Sequence, residues 1–327
     1  MPLTDEKLKF GFYWAASCGG CEIAVLDIDE KILDVVARAD ILFWPVAIDT
    51  KYRDVEAMPD GHMDVCFFNG AVRTTEQEEL AHLLRKKSKY LVAFGSCAVT
   101  GGIPGLANIA NREEVFRTAY LDNPSTVNEE GVLPSTESRV KEGKLTLPGF
   151  YDTVKSLDQV VDVDYYLPGC PPPTNLILDA VTAVFDGKLP PKGTVIAPNK
   201  SVCDECRFER SEKRITKIRR IYEVEKVEDK CLLEQGIICY GPATRGGCGA
   251  RCLDANMPCT GCGGPTPNSL DQGGKMISAL ASILGLDNEE SMTDEEVEKL
   301  LDGVVDPIGT FYKYGLPTAL INRRVEK

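Results

Sequence analysis

The sequence predicts an α/β protein whose first part is a flavodoxin-like doubly wound parallel sheet and whose second part is an irregular, cysteine-rich domain. Short, almost continuous apolar runs alternate with helical patterns through the first 195 residues, which is typical of parallel strands covered by helices on both faces. Beyond this point the alternation stops, and eight of the 13 cysteines lie between Cys203 and Cys262. We therefore predict two domains, 1–195 and 196–327.

Each element of the predicted sheet has its own sequence signal. The apolar run Leu8–Trp14 predicts the first strand, which ends at a Cys- and Gly-rich turn. The apolar residues of Ile23–Arg38 recur at helical intervals with acidic residues on the other face, which predicts a helix. Further strands are predicted at Ile41–Trp44, Val65–Phe68, Tyr90–Phe94 and Val163–Leu167, and further helices at Thr75–Arg85 and Pro173–Phe185.

The part of the chain from Ile196 onward follows a different pattern. Its short Gly, Pro and polar runs offer little apolar surface to bury, so we expect metal clusters rather than a hydrophobic core to stabilise it. The polar segment Asn123–Leu147 of the first domain has no assignable pattern. Three amphipathic or apolar pieces follow the cysteines, at Gly274–Leu284, Thr293–Leu301 and Gly309–Ile321.

The charge of the chain excludes several classes of partner. Fifty acidic residues against 37 basic ones give a net charge of −13, which repels phosphate backbones and anionic lipids, so we expect no nucleic acid and no membrane surface as partner. No apolar stretch approaches the roughly 20 residues that a transmembrane helix needs. The first residues contain neither an apolar signal-peptide region nor a twin-arginine signal. These observations predict a cytoplasmic protein.

The cysteines indicate the chemistry. Thirteen is an odd number, and disulfide scaffolds belong to short secreted chains, so we expect thiolates that hold metal. Only two histidines are present, which excludes most histidine-based metal and acid–base sites. No arrangement of nucleophile, base and orienting residue is evident in the sequence. We therefore expect no catalytic residue in this chain.

Four cysteines, which we call the edge set, follow predicted strands. The pair Cys18 and Cys21 lies just past the first strand, and Cys97 and Cys170 each come directly after a later one. Because ligands of open α/β sheets bind outside the carboxyl ends of the strands, these four thiols are expected to converge. Four thiolates suit a 4Fe-4S cluster or zinc. Structural zinc usually uses two short knuckles, and a dithiol redox centre leaves two of these cysteines unexplained, so we predict a 4Fe-4S cluster.

The eight C-terminal cysteines make two further sets of four. Two-cluster ferredoxins send one cysteine of each run to the other cluster, so crossed pairings stay open, and so does zinc. Cys66 lies within a predicted strand and is expected to pack in the core as a small apolar side chain, which leaves twelve ligands for three clusters. In chain order, the knuckle set is Cys203, Cys206, Cys231 and Cys239, and the loop set is Cys248, Cys252, Cys259 and Cys262.

Ordered motifs over nearly the whole chain resemble the small subunits of NiFe hydrogenases. Within that family the chain is similar to the gamma subunits of the methyl-viologen-reducing, deazaflavin-non-reducing enzymes of methanogens, which are cytoplasmic partners of heterodisulfide reductase. The motifs are Cys18-x-x-Cys21, Gly95-Ser-Cys97, Pro168-Gly-Cys170-Pro-Pro, Cys231-Leu-Leu-Glu, Gly241-Pro, Cys248 and Pro258-Cys-x-Gly-Cys262.

The resemblance implies a cofactor and a role for each set. The edge set would bind the proximal 4Fe-4S cluster, facing the NiFe centre of a separate large subunit, the loop set the medial cluster and the knuckle set the distal cluster. Periplasmic relatives begin the distal site with a histidine where this chain has Cys203, and often lack the fourth medial cysteine that Cys252 supplies here. Both differences favour clusters of low potential. Asn69 stands where many relatives carry glutamate, and no role is transferred to it.

The resemblance therefore implies an electron-transfer subunit of a hydrogenase. Electrons from dihydrogen oxidation in the large subunit would pass through three 4Fe-4S clusters to a small iron–sulfur subunit that links to heterodisulfide reductase, in methanogenesis. A deazaflavin-reducing or other cytoplasmic NiFe hydrogenase is an alternative. A hydrogenase-like subunit of a respiratory complex fits less well, because those relatives pair adjacent cysteines and usually lack the C-terminal clusters. A zinc-stabilised interaction protein is the alternative from another class.

Overall fold

The computed structural model describes residues 6–211, 214–215, 217–224, 229–284 and 293–321. Its central feature is a sheet of parallel strands, and there are also two short antiparallel strand pairs. All strands are numbered in chain order. The strands are β1 (Leu8–Trp14), β2 (Ala39–Phe43), β3 (Met63–Asn69), β4 (Val72–Thr74), β5 (Ser88–Phe94), β6 (Glu137–Val140), β7 (Gly143–Thr146), β8 (Phe150–Lys155), β9 (Tyr165–Leu167) and β10 (Thr194–Val195).

The central sheet has the order β10-β9-β5-β3-β1-β2, and all its pairs are parallel. Strand β1 lies inside the sheet, with Phe10 opposite Val65 and Trp14 opposite Asn69 of β3. Read from β2, the order reverses once beside β1, as in flavodoxin-like folds, with one further strand at the far edge. The predicted fold class is therefore confirmed.

Helices cover both faces of the sheet. On one face, α1, α2 and α7 contribute Val25, Val35 and Ile177 to a buried apolar cluster, while α3 and α4 contribute Val55 and Leu84 to the cluster on the other face. The helices are α1 (Gly20–Leu26), α2 (Lys31–Arg38), α3 (Tyr52–Ala57), α4 (Thr75–Lys87), α5 (Ser96–Thr100), α6 (Arg112–Tyr120), α7 (Thr174–Phe185), α8 (Arg251–Asp254), α9 (Gln272–Ile283), α10 (Asp294–Leu301) and α11 (Pro307–Phe311).

Three local predictions differ from the structure. The predicted helix Ile23–Arg38 is two helices, because the turn between α1 and α2 places Asp29 at a φ of 55°, which no helix residue adopts. The piece Gly309–Ile321 is helical only in its first residues, as part of α11, and then forms a short 3₁₀ turn at Leu316–Thr318 around a proline. The unassigned segment Asn123–Leu147 contains the exposed hairpin of β6 and β7.

The C-terminal part contains a hydrophobic core, so the expectation that it buries little apolar surface is wrong. Leu232 and Met276 are fully or almost fully buried there, in one cluster with Ile218, Leu253 and Phe311. These side chains come from α8, α9, α11 and irregular segments. Because they follow no regular period, the sequence pattern does not reveal that they pack together.

The two parts of the chain are joined by hydrogen bonds close to the cysteines. Ser96 Oγ of α5 donates to the carbonyl of Cys262 at 2.7 Å, and Asn175 Nδ2 of α7 donates to the carbonyl of Gly247 at 3.0 Å. The division into domains 1–195 and 196–327 stays a prediction. Across the ranges of the chain that the structure describes, no helix is long and apolar enough to cross a membrane.

Candidate metal centres

The structure brings the edge set together at the carboxyl ends of three strands of the central sheet. Cys18 lies in the turn between β1 and α1, and Cys21 lies in the first turn of α1. Cys97 lies in α5 directly after β5, and Cys170 follows β9. Burial is the largest of the causes that raise the pKa of the Cys21 thiol. The neighbouring thiols of Cys97, Cys170 and Cys18 raise it further. Thiols influence one another in this way only when they are close together in space.

Glycines make room for the sulfur atoms of the edge set. A Cβ on Gly95 would lie 2.3 Å from the Sγ of Cys21, and one on Gly102 would lie 2.6 Å from the Sγ of Cys97. Gly95 also has φ 85° and ψ 160°, a backbone conformation that residues with a side chain avoid. Gly102 thus leaves room for the Cys97 sulfur in the turn that follows α5.

A buried carboxylate lies next to the edge set. Glu22 is 3% exposed, accepts a hydrogen bond from Trp44 Nε1, and accepts a second from Asn69 Nδ2 at 3.3 Å. Burial raises its pKa, and the two hydrogen bonds act in the opposite direction. The sequence alone assigns no function to either Glu22 or Asn69, because only the fold shows that they are in contact.

The knuckle set also converges. Cys203 lies in a 3₁₀ turn at Val202–Asp204, and burial, followed by the nearby thiols of Cys239, Cys231 and Cys206, raises its pKa to about 12. Arg210 is near enough to lower that pKa in part. Phe208 N–H donates to the sulfur of Cys206 at 3.4 Å. These contacts place the four thiols of the knuckle set near one another, and their assignment to one cluster stays a prediction.

The loop set surrounds a cavity of about 260 Å³. Burial, a hydrogen bond from the N–H of Cys170, and the nearby thiols of Cys248, Cys170 and Cys252 leave the pKa of Cys262 at about 11. Cys252 is exposed, whereas Cys259 is buried. The cavity is lined by Cys248, Cys252, Cys259 and Cys262, and also by Cys170 of the edge set.

The loop set adjoins both other sets. Toward the edge set, the backbone N–H of Cys170 reaches the thiol of Cys262. Toward the knuckle set, the backbone N–H of Cys259 donates to the sulfur of Cys239 at 3.4 Å. After burial, Cys239 raises the pKa of Cys259 more than Cys262 does, so a crossed pairing between the two C-terminal sets stays open.

The donor chemistry of the three sets fits iron–sulfur clusters. Backbone N–H groups point at cysteine sulfurs in each set, as from Ile103 to Cys97, from Gly241 to Cys239 and from Ala250 to Cys248. Such hydrogen bonds stabilise sulfur that carries negative charge. They would hold cluster ligands as thiolates despite the burial that raises their pKa.

Single zinc ions and polynuclear clusters require different spacings of their thiolates. Tetrahedral zinc lies about 2.3 Å from each sulfur, which requires sulfur atoms roughly 3.8 Å apart. Among the residues whose positions the structure gives, no group of three or more His, Cys, Asp or Glu side chains is close enough to hold one metal ion. A polynuclear cluster separates its thiolates further, because each binds a different iron. Cys66, the remaining cysteine, is fully buried in the apolar cluster of one sheet face, as predicted.

Comparisons with known proteins agree with this arrangement. A family described as "NADH ubiquinone oxidoreductase, 20 Kd subunit" matches residues 18–184. The iron-sulfur subunit of the F420-non-reducing hydrogenase of Archaeoglobus profundus is 44% identical, over 98% of this chain and 99% of that protein. The corresponding subunit of the F420-non-reducing hydrogenase of Methanothermobacter thermautotrophicus is 41% identical, over 98% of both chains.

The fold is also that of solved hydrogenase structures. A chain of the NiFeSe hydrogenase of Desulfovibrio vulgaris Hildenborough superposes with a TM-score of 0.51 and 15% identity, covering 81% of this chain and 95% of that one. The protein belongs to the family of NiFe hydrogenase small subunits. Within this family, identities of 41–44% over nearly the full length group the chain with the small subunits of F420-non-reducing hydrogenases. It is thus part of an oxidoreductase whose catalytic site lies in the large subunit.

Proposed function

We propose that this subunit conducts electrons between the NiFe large subunit and an external acceptor through three 4Fe-4S clusters. When bound, such clusters accept and release one electron at a time. The observation that carries the proposal is the position of the loop set, which contacts the edge set through Cys170 and the knuckle set through Cys259. Three thiol sets that adjoin in this order provide a continuous route.

The role of each set follows from its place. The edge set lies at the margin of the sheet, where exposed apolar side chains such as Trp14 and Ile23 offer a surface for the large subunit, so we assign it the proximal cluster. The loop set adjoins both others and would hold the medial cluster. The knuckle set, at the other end, would hold the distal cluster and deliver electrons to the acceptor.

The acceptor is proposed from the relatives and from the ligands. Their names specify hydrogenases that do not reduce F420, which disfavours the deazaflavin-reducing alternative. Twelve thiolates without a histidine ligand favour low potentials, suited to an iron–sulfur subunit with a flavin, and we propose the heterodisulfide reductase system of methanogenesis. A cytoplasmic location stays a prediction.

The test is the metal content of the hydrogenase complex purified without oxygen. About twelve irons and matching acid-labile sulfide per small subunit, beyond the iron of the large subunit, are expected for three 4Fe-4S clusters. About eleven would indicate a three-iron medial cluster and contradict the role of Cys252. Zinc in place of iron would contradict electron transfer and support a structural scaffold.

A further inference from the structure

One carboxylate connects two of the cysteine sets. Glu205 lies between Cys203 and Cys206 of the knuckle set, but its side chain points toward the loop set. Its Oε1 accepts a hydrogen bond from the N–H of Gly247 at 2.8 Å, and its Oε2 accepts one from the N–H of Gly249 at 2.9 Å.

These two amides flank Cys248, the first cysteine of the loop set. The next two amides along the chain, those of Ala250 and Arg251, point instead at the Cys248 sulfur. The loop therefore divides its N–H groups between the carboxylate and the thiol. The Glu205 side chain is only 10% exposed, which strengthens both of its hydrogen bonds.

The cation that pairs with this carboxylate is more exposed than the carboxylate itself. Lys200 Nζ lies 3.2 Å from Oε1 of Glu205, and the lysine side chain is 46% exposed. Water screens an exposed ammonium more than a buried carboxylate. A negative charge thus remains close to Cys248, and this charge acts on the thiol electrostatically.

We infer that Glu205 is a positioning residue that ties the medial loop to the distal knuckle and lowers the potential of the medial cluster. The inference rests on the proposed function, since it takes the loop and knuckle sets as cluster ligands. The tether would fix the separation of the two clusters. The charge would disfavour reduction of the nearer one, because a reduced cluster carries one more negative charge.

Two substitutions in the intact hydrogenase complex test the inference. Glu205→Gln keeps the size of the side chain but removes its charge, and its amide nitrogen can only donate, so one loop N–H loses its acceptor. Asp204→Asn is the matched control, because Asp204 belongs to the same knuckle, is exposed, and accepts its hydrogen bonds from Ser201 rather than from the loop set.

Hydrogen–deuterium exchange measures the tether. In E205Q, peptides that contain Gly247 and Gly249 should exchange about tenfold faster than in the wild type, whereas D204N should match the wild type. Redox titration followed by electron paramagnetic resonance measures the charge. At a fixed ambient potential, the ratio of reduced to oxidised medial cluster should rise about tenfold in E205Q, which corresponds to about 59 mV for one electron.

Lys200→Met covers the case in which E205Q loses its medial iron. Removing the exposed ammonium leaves the tether in place and should lower the medial potential, a shift of opposite sign. Loss of medial iron in E205Q alone, together with this downward shift, would support the inference. Equal exchange and equal potentials in E205Q and D204N, or an unshifted potential in K200M where E205Q loses iron, would overturn it. A wild-type complex without iron and sulfide would instead refute the proposed function itself.

Discussion

Replacing Gly95 with alanine should remove the proximal cluster and leave the sheet folded. The added Cβ would lie 2.3 Å from the Sγ of Cys21, whereas ordinary contacts begin at 3.4 Å. The sulfur would therefore have to move by about 1.1 Å. Because Cys21 is buried and its backbone is held in α1, this movement turns its thiol away from the position it has in the edge set.

The backbone contributes a second cost of bounded size. A residue with a side chain in the conformation of Gly95 costs on the order of 1–3 kcal/mol, which is less than the roughly 5–15 kcal/mol that stabilises a folded domain. Gly187→Ala is the matched control. Gly187 also has a positive φ, of 62°, but a Cβ there would meet no atom within 4 Å. Both variants should fold, and both should lose some stability.

Iron and sulfide analysis of the two purified complexes distinguishes steric displacement from backbone strain. We expect the small subunit of G95A to contain about eight irons instead of about twelve, and that of G187A to keep about twelve. Thermal unfolding of both variants reports the shared strain. A full complement of iron in G95A would refute the role of Gly95 in making room for Cys21. An equal loss in G187A would show that strain alone explains the effect.

Three further predictions concern other parts of the chain. Cys66→Ala should keep all the iron and lose about 1 kcal/mol of stability through a small core cavity. Iron analysis and thermal unfolding measure the two effects, and a loss of iron would indicate that Cys66 is a cluster ligand. Asp164→Asn should cost about 3 kcal/mol at pH 7. Burial alone would raise the pKa of Asp164, but Lys192 and Arg85 lower it below its usual value of 3.8. The stabilisation is therefore fully present above pH 3.8 and is lost only as the pH falls through the lowered pKa. Denaturant unfolding should therefore separate variant and wild type more at pH 7 than at pH 3. Loading of the metal-free chain with iron and sulfide should release protons and should proceed further at pH 9 than at pH 7. Burial raises the pKa of the Cys97 thiol to about 12, and ligation requires the thiolate. The brown absorption of the product measures the yield, and an equal yield at both pH values would contradict this.

The sequence predicts those parts of the fold whose signals are local. Strand β1 agrees with the prediction to the residue, because its apolar run ends abruptly at the turn that holds Cys18. The pair of β4 and β8 is missed, since β4 has three residues and its partner follows about 75 positions later. The break between α1 and α2 is missed as well, because the apolar period continues across Asp29 and only the backbone angle shows the turn.

The site divides in the same way. Cysteine is chemically distinctive, and its position after a strand places it at a known edge of the sheet, so the convergence of the edge set can be predicted. The neighbours of the cysteines cannot. Glu22 depends on contacts with Trp44 and Asn69, and Glu205 depends on a loop 42 positions away in sequence. For Glu205, the only local signal in the sequence is its position as an acidic residue inside a C-x-x-C knuckle.

The scattered origin of the edge set imposes an order on biosynthesis. Its thiols come from positions 18 to 170, and strands β1, β3, β5 and β9 must already be paired before those thiols meet. The other two sets lie within one short stretch and need far less long-range chain closure. The edge set can therefore bind metal only after Cys170 has emerged from the ribosome and the sheet has assembled. Metal at this set thus indicates that the first part of the chain is correctly folded.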